Sequence, residues 1–149
     1  MNAETREHLT ADLIVDEGVV LHAYTDSLGY ISIGIGRLID KRKGGGITHA
    51  EALHLLQNDV RRHWDDLVER MPWVELLDEV RQAALANLAF NLGVEGLSKF
   101  VNTLEALRRG DYEAAAQGLT NSLWYRQVQG SRSGRVIRMI RTGQWDIAA

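Results

Sequence analysis

Two carboxylates and a hydroxyl stand close together near the start of this chain: Glu17, then Asp26 after eight intervening residues, then Ser32 after five more. One carboxyl group that donates a proton beside another that stays ionised is the pairing general acid–base chemistry requires. The hydroxyl could hold a water molecule. Against this stands a plain alternative, because acidic residues at helix ends and turns are commonly just solvated, and residue type alone leaves both readings open. Other chemistry finds less support. His49, His54 and His63 are separated by five and nine residues, spacings that do not put two ligands on adjacent helical turns, so no metal site is expected. The three glycines Gly44 to Gly46 lack the Gly-Lys-Ser/Thr that completes a phosphate loop.

The surrounding pattern says which elements must carry these groups. Leu9, Leu13 and Ile14 recur at helical spacing, and Gly18 follows Glu17 as the residue type that tolerates a helix end. Glu17 is therefore expected at a helix C-terminus. The negative end of a helix disfavours an adjacent anion, a setting that suits a proton donor. Val19 to Tyr24 and Tyr30 to Ile35 read as two strands around the turn Thr25 to Gly29, with Ile31, Ile33 and Ile35 on one face and Ser32, Gly34 and Gly36 on the other. The polar face is expected to look toward a cleft overlooked by Glu17. A basic, glycine-rich connector, RLIDKRKGGGIT, comes next.

Thr48 and Glu51 have capping-box spacing, and Leu53, Leu56, Val60, Trp64, Leu67 and Met71 then mark one long helix that Pro72 stops. Asp78 caps a further helix, Glu79 to Leu92, which is apolar around much of its circumference and ends at Gly93. Its polar exceptions are Asn87 and Asn91. Either these satisfy local backbone groups, or Asn91, beside Phe90, reaches a substrate. Shorter helices are expected around Leu97, from Asn102 to Arg109 and from Asp111 to Asn121, before an arginine-striped helix closed by Gly143.

Length and composition fit one domain or two closely packed lobes, with no cysteine for disulfides or thiolate ligands. No apolar run suggests a membrane span, and MNAETREHLT lacks the layout of a secretory signal. The net charge of −3 divides unevenly, −7 before Lys99 and +4 from there on. Arg132, Arg135, Arg138 and Arg141 are spaced by three, which makes either a solvated helix face or an anion-binding stripe. Neither aromatic interleaving nor a nucleic-acid motif accompanies them.

The spacing of Glu17, Asp26 and Ser32 within DEG, YTDSLGY and IGIG resembles the catalytic signature of the phage-type lysozymes, glycoside hydrolase family 24. AALANLAFNLG, KFVNTL, SLWYRQ and RVIRMIRTGQWD resemble later segments of that family in the same order. The resemblance implies a mainly helical α+β fold over residues 1–149. It would comprise a hairpin lobe at 18–47, a connecting helix at 48–71, and a helical lobe at 72–149 packed with the N-terminal helix.

It also implies a muramidase acting on peptidoglycan between N-acetylmuramic acid and N-acetylglucosamine, for phage host lysis and without a cofactor. Glu17 would be the general acid. Asp26 would stabilise the transition state or activate water, and Ser32, where the family usually has threonine, would hold that water. Leu38, Phe90 and Thr103 match substrate-contact positions, Gly118 replaces an asparagine, and Arg132 matches an arginine that pairs with the acidic region. A monomer is expected, made in the host cytoplasm without a signal peptide, acting on the periplasmic wall, and partnered by a holin or a virion component rather than nucleic acid. The alternatives are a lytic transglycosylase and a non-catalytic wall-binding or virion domain.

Overall fold

The computed structural model describes residues 1–39, 45–128 and 131–145. These residues are mainly helical with one small sheet, arranged in two compact units, Met1–His54 and Leu55–Ala149. The segment 40–44 of the basic connector and Asp146 of the last quoted motif lie outside the described residues.

In the first unit, helix α1 (Ala3–Glu17) opens on Asn2, whose side chain accepts the Thr5 N–H at 2.8 Å. Gly18 closes it at φ 70°, donating its N–H to the Ile14 carbonyl at 3.1 Å. No residue of α1 is buried, Leu9, Leu13 and Ile14 included. The apolar spacing therefore marks the helix without marking a covered face. Strands β1 (Val20–Thr25), β2 (Ile31–Gly34) and β3 (Arg37–Leu38) form an antiparallel sheet with β2 in the middle. Tyr24 lies opposite Ser32, and Ser32 opposite Leu38.

Two features of the sheet depart from expectation. The third strand falls inside the stretch that the sequence marks only as connector, because two residues are too few to display a period of two. The alternation does not sort burial by face: on β2 Ser32, from the polar face, is buried at 4% exposure, Ile31 is 44% exposed, and Ile33 and Gly34 are both half-buried. As the central strand, β2 has a neighbour on both sides at Ser32, and burial follows that position.

Helix α2 (His49–Arg70) begins with the expected capping box. Glu51 Oε2 accepts the Thr48 N–H at 2.7 Å, and Thr48 Oγ1 accepts the Glu51 N–H at 3.3 Å. Arg37 reaches the same carboxylate from β3 at 2.8 Å. The Thr48 amide first, then its hydroxyl and Arg37, hold the Glu51 carboxyl below its ordinary pKa. Of the apolar stripe on α2 only the C-terminal part is covered, with Leu67 buried and Leu53, Leu56 and Val60 exposed.

The second unit is helical. A 3₁₀ turn (Pro72–Leu76) leads to α3 (Glu79–Ser98), α4 (Val101–Arg108), α5 (Tyr112–Thr120), α6 (Leu123–Gln127) and α7 (Ser131–Thr142). The expected stop at Gly93 is present as a break inside α3, where φ is 70° and ψ 157°. Leu85, Leu88, Leu97, Leu107, Leu119, Val136 and Ile140 are fully buried between these helices. Each such side chain contributes about 1.5–3 kcal/mol.

Among the described residues one charged side chain joins this core. Arg81 donates from Nε to the Ile140 carbonyl at 2.8 Å and from Nη2 to the Arg141 carbonyl at 3.2 Å, so a side chain of α3 caps the end of α7. Its Nη1 meets Asp78 Oδ2 at 2.6 Å, and its guanidinium lies 3.5 Å from the centre of the Tyr112 ring. Loss of burial water acts to raise the Asp78 pKa, but the Arg81 guanidinium and backbone N–H outweigh it and hold the carboxyl below its ordinary value.

The pair therefore stabilises the fold fully above about pH 4, where the unfolded carboxyl is ionised, and that contribution fades as pH falls through the lower folded value. Because Asp78 is partly exposed, Asp78→Asn is expected to cost only about 0.5–1 kcal/mol at pH 7 and to flatten the acid limb of a stability-versus-pH curve. Arg81→Ala, which leaves two helix-end carbonyls without their donor, is expected to cost roughly 2–4 kcal/mol in urea unfolding. Equal unfolding midpoints for wild type and Arg81→Ala would refute the capping role.

Candidate active site

The β1–β2 turn is built around Asp26. Its backbone N–H donates to the Tyr30 carbonyl at 2.8 Å, and its own carbonyl accepts the Gly29 N–H at 3.0 Å. The side chain closes the same turn: Oδ1 accepts the Leu28 N–H at 2.8 Å and the Tyr30 N–H at 2.9 Å. An aspartate that caps its own turn in this way has its rotamer fixed by backbone. Oδ1 is committed, while Oδ2 has no partner among the described residues.

Glu17 is the last residue of α1 and is exposed. Its carboxyl group lies against the backbone of Gly36 in the β2–β3 turn, with Oε2 2.8 Å from where a Cβ on that glycine would stand. Ser32 occupies the central strand between these two ends of the sheet, and its hydroxyl has no hydrogen-bond partner among the described residues. Leu38 is the β3 residue opposite Ser32. The first unit thus gathers four sequence-predicted residues, Glu17, Asp26, Ser32 and Leu38, on one small sheet and the helix entering it.

The other candidates belong to the second unit, where several are engaged in ways the sequence did not announce. Phe90, 38% exposed, packs its ring against His63 with centroids 5.1 Å apart. It also lines a cavity of about 350 Å³ with Leu56, Val60, Ala83, Ala86, Asn87 and Arg132. Asn91 accepts the indole N–H of buried Trp124 at 2.8 Å. Asn87 holds Arg132 twice, from Nε to Oδ1 at 3.0 Å and from Nη2 to the backbone carbonyl at 3.2 Å. Among the described residues neither asparagine side chain serves a local backbone group; each accepts a bond from a distant helix, α6 or α7.

Thr103 is 6% exposed and faces α5, where a Cβ on Gly118 would stand 2.5 Å from its hydroxyl oxygen. Glycine at 118 is thus a condition of α4 and α5 approaching closely. The arginine stripe is also partly engaged, since Arg132 is bound to Asn87 and Arg141 to Glu113 at 2.7 Å. Among the described residues no group of three or more acidic or histidine side chains could hold a metal ion, and no helix is long and apolar enough to cross a membrane.

The profile of the Phage lysozyme family matches residues 15–141. The chain is 35% identical over 153 residues to the pre-baseplate central spike protein Gp5 of Enterobacteria phage T4, covering 86% of this chain and 26% of that protein. It is 30% identical over 155 residues to a probable T4-type lysozyme 1 of Dictyostelium discoideum, covering 86% and 90% of the two chains. A peptidoglycan hydrolase, gp36 of Pseudomonas phage phiKMV, is 28% identical over 120 residues, covering 78% of this chain and 13% of that protein. The chain therefore spans about a quarter of the spike protein and less of the hydrolase, but nearly all of the amoebal relative.

The bond between Asn91 and Trp124 makes a measurable claim about this site. Asn91→Ala removes the acceptor of a buried indole and is expected to lower stability by about 1–3 kcal/mol. A variant that unfolds at the wild-type denaturant midpoint would release Asn91 from this packing role.

Proposed function

We propose that this chain, which belongs to the phage lysozyme family, is a glycoside hydrolase that cuts peptidoglycan between N-acetylmuramic acid and N-acetylglucosamine. Glu17 protonates the leaving glycosidic oxygen. Asp26 presents Oδ2 to the oxocarbenium-like transition state or to the attacking water, and the Ser32 hydroxyl orients that water. The observation that carries the reading is the Asp26 turn: two backbone amides hold one carboxylate oxygen and leave the other for chemistry. A carboxylate fixed in advance loses little entropy on reaching the transition state.

Leu38 and Phe90 are the side chains we assign to sugar contact. Asn91 and Thr103 have weaker claims, since one is bonded to Trp124 and the other is buried against Gly118. Arg132, oriented by Asn87, keeps a supporting role. The biological setting we propose is lysis of a phage host, the enzyme being made in the cytoplasm and acting on the periplasmic wall. The likeness to a central spike protein favours a second setting for the same reaction, delivery within a virion. The names of the relatives, a peptidoglycan hydrolase among them, support the substrate class.

Glu17→Gln tests the assignment on purified peptidoglycan, with circular dichroism reporting the fold. Removing the proton donor is expected to slow wall degradation by at least about 10²-fold. Undiminished activity in a folded variant would end the proposal, and anhydromuramic ends among the wild-type products would replace hydrolysis with a transglycosylase reaction. Ser32→Thr restores the usual family residue and keeps the hydroxyl, so lytic activity is expected to survive. Near-complete loss would remove Ser32 from the mechanism.

A further inference from the structure

Glu17 is an exposed side chain at the end of a helix, and a glutamate in that position has several accessible rotamers. No hydrogen bond to its carboxyl group is present among the described residues. What stands against it is the bare backbone of Gly36. A Cβ there would come within 2.8 Å of Oε2, 3.1 Å of Cδ and 3.5 Å of Cγ, so one missing side chain makes room for the whole end of the glutamate.

The position is glycine for two separable reasons. One is conformational: φ is 66°, in the left-handed region that glycine enters without steric cost. The other is spatial, and it is not shared by most of the glycines at positive φ. Gly110, at φ 77°, has nothing within 4 Å of its Cβ position. The strain of an alanine can therefore be matched elsewhere in the chain without touching Glu17.

We propose that Gly36 is a positioning residue for the reaction, its uncovered backbone being the seat that sets where the Glu17 carboxyl group stands. The inference rests on Glu17 being the proton donor and adds what determines its aim. An added methyl at Gly36 meets the far end of a flexible side chain, so the glutamate swings aside and the fold survives. Proton transfer tolerates little misplacement of the donor.

Gly36→Ala is expected to lower kcat on solubilised wall glycan fragments by about 10- to 100-fold, with KM within about twofold of wild type. Gly110→Ala, carrying comparable strain in the second unit, is expected to lose the same few degrees of thermal stability and to keep wild-type kcat. If Gly36→Ala does not fold, Gly36→Asn carries the same Cβ on a side chain better suited to positive φ and replaces it in the assay.

A folded Gly36 variant with kcat within about threefold of wild type would overturn the inference. So would a rise in KM at unchanged kcat, which would make the turn a binding surface instead. Glu17→Gln, run alongside, separates the two levels. An active Glu17→Gln defeats the function assigned to Glu17, whereas an inactive one beside an active Gly36→Ala defeats only the seat.

Discussion

The buried guanidinium of Arg81 sets the terms on which the second unit is built. Taking a charge out of water costs several kcal/mol unless its donors are met, and here they are met by the ends of other elements: the cap of α3 at Asp78 and the last carbonyls of α7, with the Tyr112 ring below. Three helices must therefore present their ends to one point. Gly143, at φ 66°, turns the chain away at that point, where a side chain would run into the guanidinium. The apolar core supplies most of the stabilisation, and Arg81 fixes which helix ends meet.

The first unit solves its problem differently. Its candidate catalytic groups are aimed by backbone: Asp26 by two amides of its own turn, Glu17 by a helix end and the open face of a glycine. Such devices are short in sequence and need no large core. They suit a part of the molecule in which α1 buries none of its side chains.

That difference explains what could be read in advance. The end of α1 at Gly18, the turn at Asp26, the Thr48–Glu51 box, the Asp78 cap and the stops at Gly93 and Gly143 are local events, each written within a few residues. The pairings of Arg132 with Asn87 and Arg81 with Ile140 cross 45 and 59 residues, and no periodicity reports them. Alternation along β2 showed that two faces exist. It could not tell that Ser32 is the buried residue, because that depends on strands on either side, one of them too short to announce itself.

The contact between Thr103 and Gly118 couples two positions far apart in the chain. A Cβ at 118 would meet the threonine hydroxyl at 2.5 Å, so the space for a side chain there is already taken. A descendant of this sequence could not gain an asparagine at 118 in one step at little cost. It would first have to remove the hydroxyl at residue 103, as alanine does, or spread α4 from α5. The polar residue lacking from this side of the molecule is thus held out by the order in which mutations can be accepted, and the two sites should change together or not at all.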